Sequence, residues 1–171
     1  MVETRAKATP STALGTAPGT APGTAPHRYP LRVQWEDTDA AGIVYYANYL
    51  RFIERGRSDV LLRAGIDQQE LMREQGLAFA VRSCAIDYLK PARLHEELTI
   101  LTEFSGASGA TLTLAQAVWR GLDELARAKV VLACIDGNGR PKRVPRQVVD
   151  LFATLSTNFS QISGTLDSKD G

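Results

Sequence analysis

Cysteine and histidine are scarce, with two of each in 171 residues. That shortage excludes a disulfide scaffold and leaves too few soft ligands for a self-contained four-ligand zinc site. Neither sign of charge dominates: 20 Lys+Arg face 19 Asp+Glu, for a net charge of +1. Composition therefore carries no general electrostatic footprint for nucleic acid or for an anionic membrane. A run of roughly 18 apolar residues, the minimum for a membrane span, is also missing. So are the phosphate loop Gly-x-x-x-x-Gly-Lys, the dinucleotide fingerprint and the Gly-x-Ser-x-Gly elbow. Ser105 to Gly109 (SGASG) resembles that elbow only superficially, because it falls between predicted strands. The expectation is a small, soluble, metal-free protein of a reducing, cytoplasmic compartment. Cys84 and Cys134 lie inside predicted strands and read as small apolar filler; His27 and His95 read as surface residues.

Large apolar side chains are absent from the N-terminal stretch. Gly15 to Pro26 repeats Gly-Thr-Ala-Pro three times after MVETRAKATPSTAL. Pro18, Pro22 and Pro26 forbid a continuous helix, and nothing there could bury enough surface to offset the entropy of ordering. No apolar core of a secretory signal is present, and Glu3 with the prolines argues against an organelle transit peptide. The expected organisation is a disordered tail over residues 1–28, one folded domain over 29–157, and a polar tail over 158–171.

Within the domain, Tyr29, Leu31, Val33 and Trp35 alternate with polar residues and predict a half-buried strand. The loop Glu36-Asp37-Thr38-Asp39-Ala40-Ala41-Gly42 follows. The period then changes: Tyr49, Leu50, Phe52, Ile53, Gly56, Val60, Leu61 and Ala64 mark the apolar face of a long helix, stopped by Gly65. Asp67 with Glu70 signals a second, short helix through Gln75, ended by Gly76. Four strands are predicted next, over Phe79–Tyr88, Leu98–Phe104, Thr111–Trp119 and Leu125–Ile135, with SGASG as a turn and short glycine-containing links that imply antiparallel hairpins. Pro145 opens a last helix through Leu155. One long helix against one five-stranded sheet is an α+β domain, and the sheet's other face needs cover that an oligomer would supply.

The chemistry concentrates in Glu36, Asp37 and Asp39, three acids on a loop between an apolar strand and an apolar helix. A solvated turn with helix-capping charges is one reading. The other is that a carboxylate lies close to the free N–H groups of a helix start. Such donors can hold an oxyanion while the carboxylate attacks or activates water, which is acyl-transfer equipment without serine or metal. The residues alone leave both open.

Asp37-Thr38-Asp39-Ala40-Ala41-Gly42-Ile43-Val44-Tyr45-Tyr46-Ala47-Asn48-Tyr49-Leu50-Arg51-Phe52-Ile53-Glu54-Arg55 closely resembles the signature of the hotdog-fold 4-hydroxybenzoyl-CoA thioesterase family. The similarity is greatest to its acyl-CoA thioesterase branch associated with the Tol–Pal system. Asp87-Tyr88-Leu89-Lys90-Pro91-Ala92-Arg93-Leu94 resembles the family's Tyr-x-x-Pro-Ala-Arg segment, and Gly139-Arg140-Pro141-Lys142-Arg143-Val144-Pro145 its C-terminal loop. The resemblance runs from about Tyr29 to Phe152. It implies a hotdog fold, a long central helix wrapped by a five-stranded antiparallel sheet, and hydrolysis of an acyl-CoA. It also implies Asp39 as the catalytic carboxylate, the backbone N–H of Tyr46 as oxyanion donor, and Gly42 as the residue that permits the loop's turn. Glu36 and Asp37 are left to loop structure and capping.

Two positions depart from the Tol–Pal branch, which often carries His where this chain has Tyr46 and Tyr where it has Trp35. Without that His, Asp39 is the sole obvious catalytic group; the hydroxybenzoyl branch itself has Tyr at the position of Tyr46. Coenzyme A would be part of the substrate, so no retained cofactor and no metal is implied. Its phosphates call for basic residues, and Lys90, Arg93, Arg140, Lys142 and Arg143 are the candidates. The family also implies a homodimer or homotetramer with the site near a subunit interface. An aromatic, hydroxybenzoyl-type thioesterase is one alternative. The other is a non-catalytic hotdog module that binds an acyl-carrier protein or an envelope partner; a hotdog hydratase would need a His near the loop.

Overall fold

The computed structural model describes residues 27–63 and 65–156. The Gly-Thr-Ala-Pro repeat and the C-terminal tail expected over 158–171 lie outside them. Five strands, β1 (His27–Arg32), β2 (Leu77–Tyr88), β3 (Glu97–Ser108), β4 (Thr111–Arg120) and β5 (Asp123–Asp136), form one antiparallel sheet in the order β1-β3-β4-β5-β2. Among the described residues three helices accompany it: α1 (Asn48–Arg63), α2 (Gln68–Gln75) and α3 (Arg146–Ser156). Among the described residues no helix is long and apolar enough to cross a membrane.

The long helix packs on β1, β3 and β4 through Tyr49, Phe52, Ile53, Gly56, Val60 and Leu61, the three- and four-residue steps of one helical face. Facing them, β3 and β4 bury alternate residues: Leu98 and Ile100 on one strand, Leu112, Leu114, Gln116 and Val118 on the other. Gly56 lets the helix approach closely. A Cβ built there would stand 2.8 Å from Ile100 Cγ2, nearer than side chains pack. Leu50 departs from the predicted face and is exposed, whereas Arg57 is buried in its place.

Several boundaries differ from expectation for local reasons. β1 starts at His27 and ends at Arg32, because the chain turns at Trp35–Asp37 into one turn of 3₁₀ helix. The Asp37 carboxylate drives that turn by accepting the Gln34 N–H at 2.8 Å. Trp35 consequently points outward and is 79% exposed. The SGASG segment does not end its strand: β3 runs on to Ser108, its register shifting between Phe104 and Gly106. Such a bulge adds bend and twist, which helps the sheet curve around α1. Cys134 is buried, as a filler should be, but Cys84 is exposed on the edge strand β2. His27, read as a surface residue, is mostly covered, with Nε2 3.0 Å from Asp59 Oδ2 on α1.

Candidate active site

The acidic loop folds as a miniature hairpin. Thr38 bridges to Val44, the Asp39 N–H donates to the Ile43 carbonyl at 2.9 Å, and the Gly42 N–H returns to the Asp39 carbonyl at 2.9 Å. The Asp39 carboxylate tightens the turn by accepting the Ala41 N–H at 2.8 Å. Gly42 takes a left-handed φ of 71°, a conformation that costs other residues energy. Asp37 lies beneath this turn, buried, with its carbonyl accepting the Tyr45 N–H at 2.9 Å and Asn48 Nδ2 at 3.0 Å. It has the structural part expected of it, and Glu36 is exposed.

Asn48 is the first residue of α1, so Tyr46 stands in a turn just ahead of the helix rather than within it. The Asn48 N–H closes that turn on the Tyr45 carbonyl at 2.8 Å. Only the last residue of such a turn has its N–H tied to the first carbonyl. The Tyr46 and Ala47 N–H groups therefore stay outside both the turn's bond and the helical ladder, where they can donate to a ligand.

A second segment, Tyr88 to Arg93, walls the loop. Ala92, fully buried, joins the two: its carbonyl accepts the Val44 N–H at 2.9 Å, and its N–H donates to Tyr49 Oη at 2.9 Å. Ile43 and Arg93 bridge beside it. Tyr88 Oη donates to the Tyr46 carbonyl at 3.0 Å. Two stretches far apart in sequence thus form one unit, and Asn48, Tyr88 and Ala92 are the joints that residue-by-residue reading missed. A sequence signal for Tyr88 and Ala92 existed in the Tyr-x-x-Pro-Ala-Arg segment, but not the hydrogen bonds that explain it.

Aromatic rings surround the turn. Tyr45 and Tyr46 lie with centroids 4.7 Å apart, and Tyr88 meets Tyr46 and Tyr49 edge-on at 6.2 and 5.5 Å. The Tyr45 hydroxyl is pushed above its ordinary range, chiefly by its bond to Tyr46, with the nearby Asp39 charge a lesser cause. Asp39 itself is exposed in the single chain.

The five basic candidates do not gather in one chain. Arg93 bridges to Ile43 at the end of the acidic loop, and Lys90 stands three residues before it, against the start of β5. The Lys90 N–H bonds the Leu125 carbonyl, and its ammonium pairs with Asp123, whose carboxyl is held below its usual range first by Lys90 and then by Arg120. Arg140, Lys142 and Arg143 lie at the other end of β5, where the Lys142 N–H bonds the Cys134 carbonyl and Nζ lies 3.4 Å from Asp136. From Leu125 to Cys134 the strand advances about 30 Å at roughly 3.3 Å per residue.

A carboxylate, two free turn N–H groups and an aromatic wall suit attack at a polarised carbonyl. Comparison with known proteins identifies the family. The profile of the thioesterase-like superfamily matches residues 33–152. Acyl-CoA thioesterase YbgC of Haemophilus influenzae is 43% identical over 128 residues, 74% of this chain and 94% of that protein. The crystal structure of a probable thioesterase from Bartonella henselae superposes with a TM-score of 0.68 at 40% identity, covering 71% of this chain and all of the other. A 4-hydroxybenzoyl-CoA thioesterase mutant bound to 4-hydroxybenzoyl-CoA shares the fold, with a TM-score of 0.69 at 21% identity over 73% of this chain and 96% of that one. The α+β sheet-and-helix architecture and these matches together make the chain a member of the thioesterase-like superfamily, with its hotdog fold.

Proposed function

We propose that this protein is an enzyme that hydrolyses an acyl-CoA thioester to the free acid and coenzyme A. The observation that carries the reading is the locked pair of segments, which holds Asp39 and the free N–H groups of Tyr46 and Ala47 on one short stretch of loop. The YbgC relative, named an acyl-CoA thioesterase, supports the substrate class. The Tyr46 N–H receives the thioester oxygen as negative charge develops there. Asp39 then acts in one of two ways. It attacks the carbonyl carbon, expelling the CoA thiolate and leaving a mixed anhydride that water cleaves, or it takes a proton from the water that attacks. Gly42 keeps the loop turned so that the carboxylate stays near the turn. No retained cofactor or metal takes part, and the setting is cytoplasmic.

The working unit is a homodimer or homotetramer. β2 is an outer strand, and Ala80 to Ala85 along it are exposed with Arg82 as their one charge. A long uncovered edge of this kind is a template for pairing. Antiparallel pairing with a second copy would set the Tyr88 end of one β2 against the Leu77 end of the other. Leu77 pairs with Asp136, beside Arg140 to Arg143. The second copy's basic loop would thereby reach the first copy's Asp39 side, completing a phosphate subsite with Lys90 and Arg93. The groove of about 440 Å³ on the sheet's outer face, lined by Ala115, Ala117 and Trp119, offers a surface for doubling the dimer.

The cluster of Tyr45, Tyr46 and Tyr88 favours a second reading of the acyl group as aromatic. An acyl-carrier protein presenting the same thioester is an alternative donor. The test is Asp39→Asn assayed on acetyl-, hexanoyl-, palmitoyl- and benzoyl-CoA. The variant should keep the wild-type fold and oligomer and lose at least about a hundredfold in kcat. Near-normal turnover would overturn the assignment.

A further inference from the structure

We infer that Tyr88 is a positioning residue for the donor turn, holding the Tyr46–Ala47 peptide so that its N–H can join that of Tyr46 on the thioester oxygen. The inference rests on the proposed hydrolase activity and deepens it by adding a second donor and the side chain that sets it.

The turn offers two peptide N–H groups, and each belongs to a peptide whose carbonyl is held from behind. The Tyr45 carbonyl, in the peptide that carries the Tyr46 N–H, accepts the Asn48 N–H at 2.8 Å. The Tyr46 carbonyl, in the peptide that carries the Ala47 N–H, accepts Tyr88 Oη at 3.0 Å. A hydrogen bond to a peptide's oxygen draws electron density from its nitrogen, so the N–H opposite becomes a stronger donor. It also fixes the plane of the peptide, and a preorganised donor needs no reorientation when charge develops.

Tyr88 is well placed to act as a strut. It is the last residue of β2, paired with Ala126 of β5, and the next two N–H groups, of Leu89 and Lys90, both donate to Leu125. Its ring lies edge-on to Tyr49, which is buried and anchored in turn to Ala92. The hydroxyl therefore projects from a braced base toward an exposed turn. Partial burial pushes its pKa above the ordinary phenol value, so it remains a proton donor across the working range. Among the described residues no other side chain donates to the Tyr46 carbonyl, while Asn48 donates its N–H to Tyr45 and its Nδ2 to Asp37.

Tyr88→Phe keeps the ring and removes only the hydroxyl. Assayed on hexanoyl-CoA and benzoyl-CoA, it should lose about tenfold in kcat, the scale of one hydrogen bond made in the transition state, with KM changed less than about twofold and an unchanged melting temperature. A second readout uses the Asp39→Asn background, in which the substrate survives. There the carbonyl stretch of bound ¹³C-labelled thioester, read by infrared difference, should lie below that of free thioester and move back toward it when Tyr88→Phe is added. Unchanged kcat, an unmoved carbonyl band, or a kcat loss matched by lower melting temperature or higher KM would each overturn the role. Full activity of Asp39→Asn would instead overturn the role of Asp39, and no turnover of either thioester by the unaltered chain would overturn the hydrolase reading, and this inference with it.

Discussion

Asn48 Nδ2 donates to the main-chain carbonyl of Asp37 at 3.0 Å, tying the first residue of α1 to the floor of the acidic loop. The same carbonyl accepts the Tyr45 N–H at 2.9 Å, so both ends of the donor turn hang from one oxygen. Asn48→Asp separates the loop role from the helix role. A carboxylate at a helix N-terminus favours the helix, yet it cannot donate to Asp37. The expected outcome is a melting temperature near that of the unaltered chain with kcat lowered several-fold. A kcat equal to the unaltered value would show that the Tyr45 bond alone holds the turn.

Two glycines fail in different ways when given a methyl group. At Gly42 nothing lies within 4 Å of an added Cβ, but φ is 71°. Gly42→Ala should therefore cost about 1–2 kcal/mol through the backbone alone and depress kcat by loosening the turn around Asp39. At Gly56 the added Cβ meets Ile100 Cγ2 at 2.8 Å and Ile100 Cβ at 3.1 Å inside the core. Gly56→Ala should cost about 1–3 kcal/mol by overpacking, with turnover per folded molecule retained. Thermal melts and active-site-normalised kcat distinguish the two. Equal kcat losses would contradict the division.

The contrast shows what the chain made legible. Helix and strand periods were readable because packing rewards them directly: Phe52, Ile53, Val60 and Leu61 recur on one face, and Leu112, Leu114, Gln116 and Val118 on another. Asp67 and Gly76 were readable because their capping chemistry is local: the Asp67 carboxylate accepts the Gln69 and Glu70 N–H groups, and Gly76 turns left-handed. Trp35 and SGASG were misread because a competing bond from Asp37 and a bulge at Gly106 decide them. The site divides similarly. Asp39 and Gly42 stand within one motif, whereas the bonds of Tyr88 and Ala92 to that loop cross more than forty positions and leave no periodic trace.

Arg57 is the buried charge that the helical pattern did not place. Its Nη1 donates to Gln116 Oε1 at 3.0 Å, and Gln116 Nε2 donates to the Ile53 carbonyl at 2.8 Å and Thr102 Oγ1 at 2.9 Å. Burial lowers the Arg57 pKa from its ordinary value, with Glu54 opposing the shift. Gln116→Leu should destabilise by about 1–3 kcal/mol because it strips a buried donor of its acceptor. Adding Arg57→Met removes the stranded group and should recover part of that loss. A double-mutant cycle by denaturant unfolding reads the coupling, and simple additivity would mean the pair is not energetically linked.

His27 gives the fold a pH dependence with a definite sign. Its pKa is lowered from 6.5, first by burial and against the attraction of Asp59, while Arg63 adds to the lowering. The unfolded chain then binds the proton more readily than the folded one, so stability is full above about pH 6.5 and falls as pH drops toward the folded value. Between pH 7.5 and 5.5 the melting temperature of the unaltered chain should decline more than that of His27→Gln. Parallel declines would assign the dependence to other groups.

The separation of Lys90 and Arg93 from Arg140, Lys142 and Arg143 along β5 makes the phosphate subsite a question of which copy supplies each half. If the basic loop acts on the second copy's substrate, Lys142→Ala with Arg143→Ala should raise KM for acyl-CoA more than for the matching acyl-pantetheine, which lacks the nucleotide. Mixing provides the sharper measurement. Subunits carrying Asp39→Asn and subunits carrying the Lys142→Ala, Arg143→Ala pair are each defective alone. A mixed dimer of the crossed arrangement contains one site with an intact Asp39 and an intact basic loop, so unfolding and refolding the two together should restore low-KM turnover. In an uncrossed arrangement every site keeps one defect, and the mixture would show only the average of its parents. That result would assign the basic loop to the substrate of its own copy.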